Sequence, residues 1–133
     1  MQEYMQKLTR PLTFVYIVLI FSIIYLANTD QKELFTWILK GVPFGDKIGH
    51  ATLFGLLAFS LNAATNYKHW QFGSVPLYLG SVSVSIFVFV EELSQHFIPS
   101  RTMDLNDLLA DAVGILFFTL LSRFLHRRKE QSN

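Results

Sequence analysis

Apolar residues gather along the chain into four long runs separated by short polar intervals, and each run has the length an α-helix needs to cross hydrocarbon. Residues 11–29 contain no acidic or basic side chain over 19 positions, against about 20 residues for a layer of about 30 Å at 1.5 Å per residue. Residues 48–67 hold one ionisable group, His50, in 20 positions. Residues 69–90 run 22 positions without an acid, Lys or Arg, which predicts a third helix over about 73–96, with Pro76 in a first turn where a missing donor costs little. The fourth run is constrained from both sides, because 11 residues separate Asp111 from Arg123. To cross, that helix must start near Leu105 and end near residue 125, taking Asp107 and Asp111 with it. The expected architecture is an all-α integral membrane protein: a four-transmembrane-helix bundle with spans at about 11–29, 48–67, 73–96 and 105–125.

Smaller patterns refine this picture. The segment LFTWIL at 34–39 is apolar but too short to cross; with Trp37 at its centre and Lys32, Glu33 and Lys40 around it, it predicts a short interfacial helix in the first loop. The first run is longer than a signal-peptide core, and Leu26-Ala27-Asn28 is a poor cleavage site, so the span is expected to be retained. Ala51, Gly55 and Ala58 form a strip of small residues for close helix packing, and Ser81, Ser83 and Ser85 offer polar packing.

Composition supports the same class. Charged residues are 16% of the chain, hydrophobic residues 51% and mean hydropathy is +0.34, whereas soluble domains are about a quarter charged. With 133 residues and no internal repeat, a single domain over 1–133 is expected. Cysteine is absent, so disulfides and thiolate metal sites are excluded. A net charge of +1 gives no reason to expect nucleic acid as a partner.

The distribution of charge is more informative. Lys7, Arg10, Lys68, Arg123, Arg127, Arg128 and Lys129 fall on one side of the expected topology, and Lys32, Lys40, Lys47 and Arg101 on the other. Seven against four places both termini in the cytoplasm. Eight of the ten acids lie outside: Asp30, Glu33, Asp46, Glu91, Glu92, Asp104, Asp107 and Asp111.

Five of those acids stand in residues 91–111, EELSQHFIPSRTMDLNDLLAD, which reads as a helix end, a turn at Pro99-Ser100 and a helix start. Glu92 and Gln95 share a helix face, and Glu91 points about 100° away from Glu92. Asp104, Asp107, Asp111 and Gly114 draw one line down the following helix. Asp46, Lys47 and His50 open the second span on the same side. The predicted site is therefore an outward-facing polar pocket made by Asp46, Lys47, His50, Glu92, Gln95, Arg101, Asp104, Asp107 and Asp111, satisfied there by water and by one another.

Each residue also has a plainer role. Asp104 and Asp107 fit the capped start of a helix, where unpaired amides and the macrodipole favour acids; Asp111 lies too deep for that. Lys47 and Arg101 fit interfacial anchors, His50 fits a core histidine bonded to Asp46 one turn away, and His69 and His96 fit interface residues. As chemistry, Arg101 and Lys47 suit an anionic group, while His50 with Glu92 or Asp107 suits acid–base catalysis of phosphoryl or acyl transfer or hydrolysis on a lipid head group. Asp104, Asp107, Asp111 and Glu92 supply oxygen ligands for a divalent cation, although two cations nearby balance the same charge, and no cofactor is expected. A proton or ion relay lacks polar groups toward the inner side.

The residues DKIGHATLFGLL at 46–57 and EELSQHFIPSRTMDLNDLLADAVGI at 91–115 resemble the VanZ-like family, named for an accessory teicoplanin-resistance protein. That family's pattern is Asp-Lys-x-x-His in the second span, Glu-x-x-Gln closing the third and Arg-x-x-Asp-x-x-Asp-x-x-x-Asn opening the fourth. Asp46, Lys47, His50, Glu92, Gln95, Arg101, Asp104 and Asp107 match it; Asp111 stands where Asn is usual and adds a negative charge. The resemblance implies a multi-pass protein of the bacterial cytoplasmic membrane, in a family linked to low-level glycopeptide resistance. It implies membrane lipids as partners, with an anionic lipid or peptidoglycan-precursor head group as the ligand expected at the pocket.

Overall fold

A computed structural model describes residues 2–29, 41–99 and 101–133. The expected interfacial helix at 34–39 and Ser100 of the expected turn lie outside the described residues. The element order is α1 (Gln2–Asn28), α2 (Gly45–Ala64), β1 (His69–Phe72), β2 (Val75–Tyr78), α3 (Leu79–Ser94), a 3₁₀ turn (Gln95–Phe97) and α4 (Leu105–Gln131). The protein is mostly helical, and two of its helices, over Glu3–Asn28 and Leu105–Gln131, are long and apolar enough to cross a membrane by length and composition.

Helix α1 starts nine residues before the apolar run. Its added turns, QEYMQKLTR, contain good helix formers and an i,i+4 pair, Lys7 Nζ to Glu3 Oε1 at 3.0 Å. Pro11 sits inside the helix, and no charge pattern could have shown that the helix continues through it. At the other end α4 runs on to Gln131, so the basic tail is helical rather than loose.

The largest departure from the sequence reading lies between α2 and α3. Residues 69–78 form an antiparallel hairpin with pairs His69–Tyr78, Trp70–Leu77, Gln71–Pro76 and Phe72–Val75, and helix α3 begins at Leu79, not near Gly73. The 22-residue uncharged run concealed this because a count of charges does not register period. Gly73, at φ +59°, makes the turn. Pro76 is tolerated because a two-stranded sheet consists of edges. Helix α3 alone rises about 24 Å, and the 3₁₀ turn brings it to about 30 Å.

Helix α2 is the centre of the bundle, packing along α4 and also against α3 and α1. The α2–α4 contact is close because of its glycines: a Cβ on Gly114 would lie 2.6 Å from the Ala51 Cα, and one on Gly55 would lie 2.8 Å from the Gly114 carbonyl oxygen. Helix α1 runs antiparallel along α2, donating from Gln6 to the Ala63 carbonyl at 2.9 Å, from Thr13 to Ser60 at 3.3 Å and from Tyr16 to Leu53 at 2.9 Å. The apolar core between them holds Ile20, Phe54, Leu57, Ala58, Val84, Val88 and Ile115. This arrangement brings the start of α2, the end of α3 and the start of α4 to one end.

Candidate functional site

The start of α4 positions the site. Asp104 is the N-cap: its backbone is extended, and its carboxylate accepts from the Asn106 amide at 2.8 Å. The Asp104 amide in turn donates to Glu92 Oε1 at 2.7 Å. In a capping box the residue three positions on would supply that acceptor; here a glutamate from α3 does so. The capping reading of Asp104 therefore holds, and Glu92, buried at 1% exposure, latches the end of α3 to the start of α4.

Asp107 is thereby free to turn toward α2. Lys47 Nζ donates to Asp46 Oδ2 at 3.0 Å, to Asp104 Oδ2 at 2.9 Å and to Asp107 Oδ1. Hydrogen bonding to Lys47 holds the Asp46 and Asp104 carboxyls below the usual aspartate range, and bonding to Asp104 first and Asp107 second holds the lysine well above its own. Lys47 is thus more than an interfacial anchor; its ammonium stands at the centre of three carboxylates.

One turn further along α2, His50 reaches the deeper aspartate. Its Nδ1 lies 3.1 Å from Asp111 Oδ1, and its Nε2 lies 3.9 Å from Asp107 Oδ2. Asp111 has no exposure, so the imidazole is fixed from below by one buried carboxylate and faced from above by another. The plainer role for His50, a core histidine bonded to Asp46, is corrected in its partner: both lie on α2, but the α2–α4 approach at Gly114 brings Asp111 close enough instead.

Gln95 is buried and donates through Nε2 to Glu91 at 3.0 Å and to Glu92 at 3.3 Å. Glu91 is therefore a site residue that the sequence reading left outside its set. The i,i+4 spacing to Gln95 was the available signal. Arg101 stands apart from the carboxylates. Its Nη1 donates to Asn28 Oδ1 at 3.0 Å, and among the described residues no carboxylate lies within ion-pair distance of it. With His50 and Glu91 it lines a cleft of about 80 Å³ whose other wall is Ile20, Ile23, Ile24 and Ala27 of α1.

The nine expected residues thus form one network of eight, running Asp46–Lys47–Asp104/Asp107–His50–Asp111 and Asp104–Glu92–Gln95, with Arg101 joined to it through the cleft. The four oxygen donors considered for a cation do not converge. Lys47 occupies the space among Asp46, Asp104 and Asp107, Glu92 is committed to an amide and Asp111 to His50, and among the described residues no group of three His, Asp or Glu suited to a metal ion is present. Asn28 was missed because a lone Asn at a helix end carries no signal of its partner 73 positions away.

The arrangement can hold a polar group between Arg101, His50 and Glu91, and it can present an oriented imidazole. A comparison of the chain with protein-family models, with curated proteins and with solved structures returns no match in any of the three.

Proposed function

We propose that this chain is a multi-pass protein of the bacterial cytoplasmic membrane with both termini inside, allied to the VanZ-like proteins its motif resembles. Its charged end binds the head group of an anionic envelope lipid or peptidoglycan precursor. The membrane reading is supported by the wide apolar surfaces of α1 and α4, where Phe14, Phe21, Val113 and Phe117 all stand open. Water rarely faces contiguous apolar surface of this extent.

One observation carries the binding reading. Arg101 is a guanidinium tethered by a neutral amide rather than by a carboxylate, at the mouth of a cleft, while Lys47 is already neutralised three times over. The anionic part of a head group meets Arg101, and its hydroxyl or amine donors meet Glu91 and the rim carboxylates Asp46 and Asp104. The test is binding of a lipid-linked peptidoglycan precursor, or of phosphatidylglycerol, to purified protein in nanodiscs. Arg101→Gln should weaken binding about tenfold, the range for losing a bond to a charged group. Unchanged affinity in folded Arg101→Gln protein would sink the proposal.

A second reading, a membrane-embedded enzyme acting on a lipid head group by phosphoryl or acyl transfer or hydrolysis, is favoured by the Asp111–His50 pair, which orients an imidazole as a general base requires. Under it, His50→Gln abolishes turnover while head-group binding persists. Under the binding reading, the His50→Gln protein still reverses a deletion phenotype in envelope lipids or glycopeptide susceptibility.

A further inference from the structure

The end of the bundle away from the charged cluster carries a second feature, in which the hairpin is amphipathic. Cross-strand partners share a face and neighbours alternate, so the register puts Trp70, Leu77, Phe72 and Val75 on one face and His69, Tyr78, Gln71 and Pro76 on the other. The four apolar side chains are 56%, 41%, 77% and 50% exposed, respectively. A hairpin of ten residues that shows all four of its large apolar side chains outward is built to lie against something apolar.

The opposite face turns toward α4. Tyr78 Oη lies 3.1 Å from His126 Nδ1, the His69 and His126 rings are 5.5 Å apart, and Arg123 Nη2 donates to the Ser74 carbonyl at 3.3 Å. Between hairpin and helix is a cleft of about 210 Å³, lined by polar and charged groups that include Arg123 and Arg127. The carboxylate on its wall, Glu130, stands 3.6 Å from His126 Nε2. Neither guanidinium has a carboxylate within ion-pair distance among the described residues, and Arg123 Nε is buried without a hydrogen-bond partner. Two guanidiniums without a carboxylate partner at the wall of one cleft leave uncompensated positive charge there, which an acceptor-rich anion in the cleft balances.

We infer that the hairpin and the basic end of α4 form an interfacial phosphate site. The Trp70 face seats among lipid acyl chains, and the cleft behind it takes the phosphate of an anionic phospholipid on Arg123 and Arg127. The two features belong together geometrically, since a lipid places its phosphate directly above the layer into which an interfacial aromatic side chain inserts. This inference rests on the membrane reading, but not on the ligand proposed for the outer pocket.

Fluorescence tests it. In the full chain carrying Trp37→Phe, Trp70 is the sole tryptophan, and its emission is followed in nanodiscs of phosphatidylcholine with a small fraction of phosphatidylglycerol, bromine being placed on the acyl chains of one lipid or the other. Brominated phosphatidylglycerol should quench Trp70 about fivefold more per molecule than brominated phosphatidylcholine, the enrichment expected of one cation near an anionic lipid. Arg127→Gln, on the exposed side of the cleft, should reduce that ratio toward one, as should Arg123→Gln where it folds. Equal quenching by both lipids, or a ratio unmoved in Arg127→Gln, overturns the phosphate site while leaving the membrane reading intact. No quenching by either lipid overturns the membrane placement of the hairpin itself. Loss of the preference under excess inorganic phosphate, with chloride of equal ionic strength leaving it intact, supports the phosphate site by direct competition.

Discussion

Two polar clusters tie the same three helices together, and they are built on opposite rules. At the end of the bundle that the proposed orientation puts outside, the ties are charged: Lys47 among carboxylates, His50 on Asp111, and Glu92 on the cap of α4. Deeper in the bundle they are neutral. Asn62 Nδ2 donates to Ser81 Oγ at 2.8 Å and to Ser122 Oγ at 3.2 Å, its Oδ1 accepts from the Ser81 amide at 3.0 Å, and Ser81 Oγ meets Thr119 Oγ1 at 2.6 Å. Asn62 and Ser122 have no exposure, and every polar atom of the amide has a partner. A closed neutral network costs little in an apolar medium and holds helices in register. A charged cluster that stays partly open, with a guanidinium held by an amide, carries more desolvation cost than holding helices requires. The inner cluster accounts for assembly, and the outer one is where the proposed head group would bind.

That contrast breaks most severely where both clusters depend on one approach. The α2–α4 approach at Gly114 and Ala51 underlies the His50–Asp111 contact above and the Asn62–Ser122 contact below. Gly114→Val should therefore damage both, by about 3 kcal/mol or more, seen as loss of a monodisperse folded peak in detergent. If Gly114→Val remains folded and binds head group normally, the two helices are not held as described.

The next test separates the clusters. Asn62→Leu removes three hydrogen bonds and strands the Ser81 amide, a loss of about 2 kcal/mol at membrane-protein values near 0.6 kcal/mol per bond; head-group binding in the surviving folded fraction should be unchanged. Lys47→Met should do the reverse. It leaves Asp46, Asp104 and Asp107 without their shared cation beside Arg101, so affinity for an anionic head group should fall about tenfold, with a smaller drop in the thermal midpoint than Asn62→Leu causes. If the two variants change places, the division of labour argued above is wrong.

How far the sequence foretold this depends on the kind of signal. The outer cluster was legible because ionisable residues within apolar runs are conspicuous, and their i, i+3 and i+7 spacing identified a face before any partner was known. Which atoms pair was not legible. The plainer role considered for His50 paired it with Asp46 because sequence proximity was the available guide, whereas the choice of Asp111 depends on how closely α2 approaches α4. The neutral cluster was nearly invisible: Asn62, Thr119 and Ser122 are ordinary residues in helices, and three-dimensional convergence alone distinguishes them. The hairpin was hidden for another reason. HWQF and VPLY are uncharged, so they merged with α3 into one run, and the alternation that marks a strand is obscured when four-residue strands flank a two-residue turn.

The smallest effect concerns pH, and its sign follows from the Lys47 cluster. Asp46 and Asp104 have folded-state pKa values below their unfolded ones, so their contribution is complete above about pH 4 and lost as the medium becomes more acidic. Lys47 has a folded pKa above its unfolded one, so its contribution is complete below about pH 10 and lost only beyond that. The difference in thermal midpoint between the native chain and Lys47→Met should therefore stay level from about pH 6 to 9 and shrink below about pH 4. Both Asn62 and its partners lack titratable groups, so the penalty of Asn62→Leu should remain across the acid limb where that of Lys47→Met fades. A Lys47→Met penalty that persisted undiminished in acid would mean that the lysine holds the helices by packing its stem, as Asn62 does by its amide, and the outer cluster would then need no ligand to account for it.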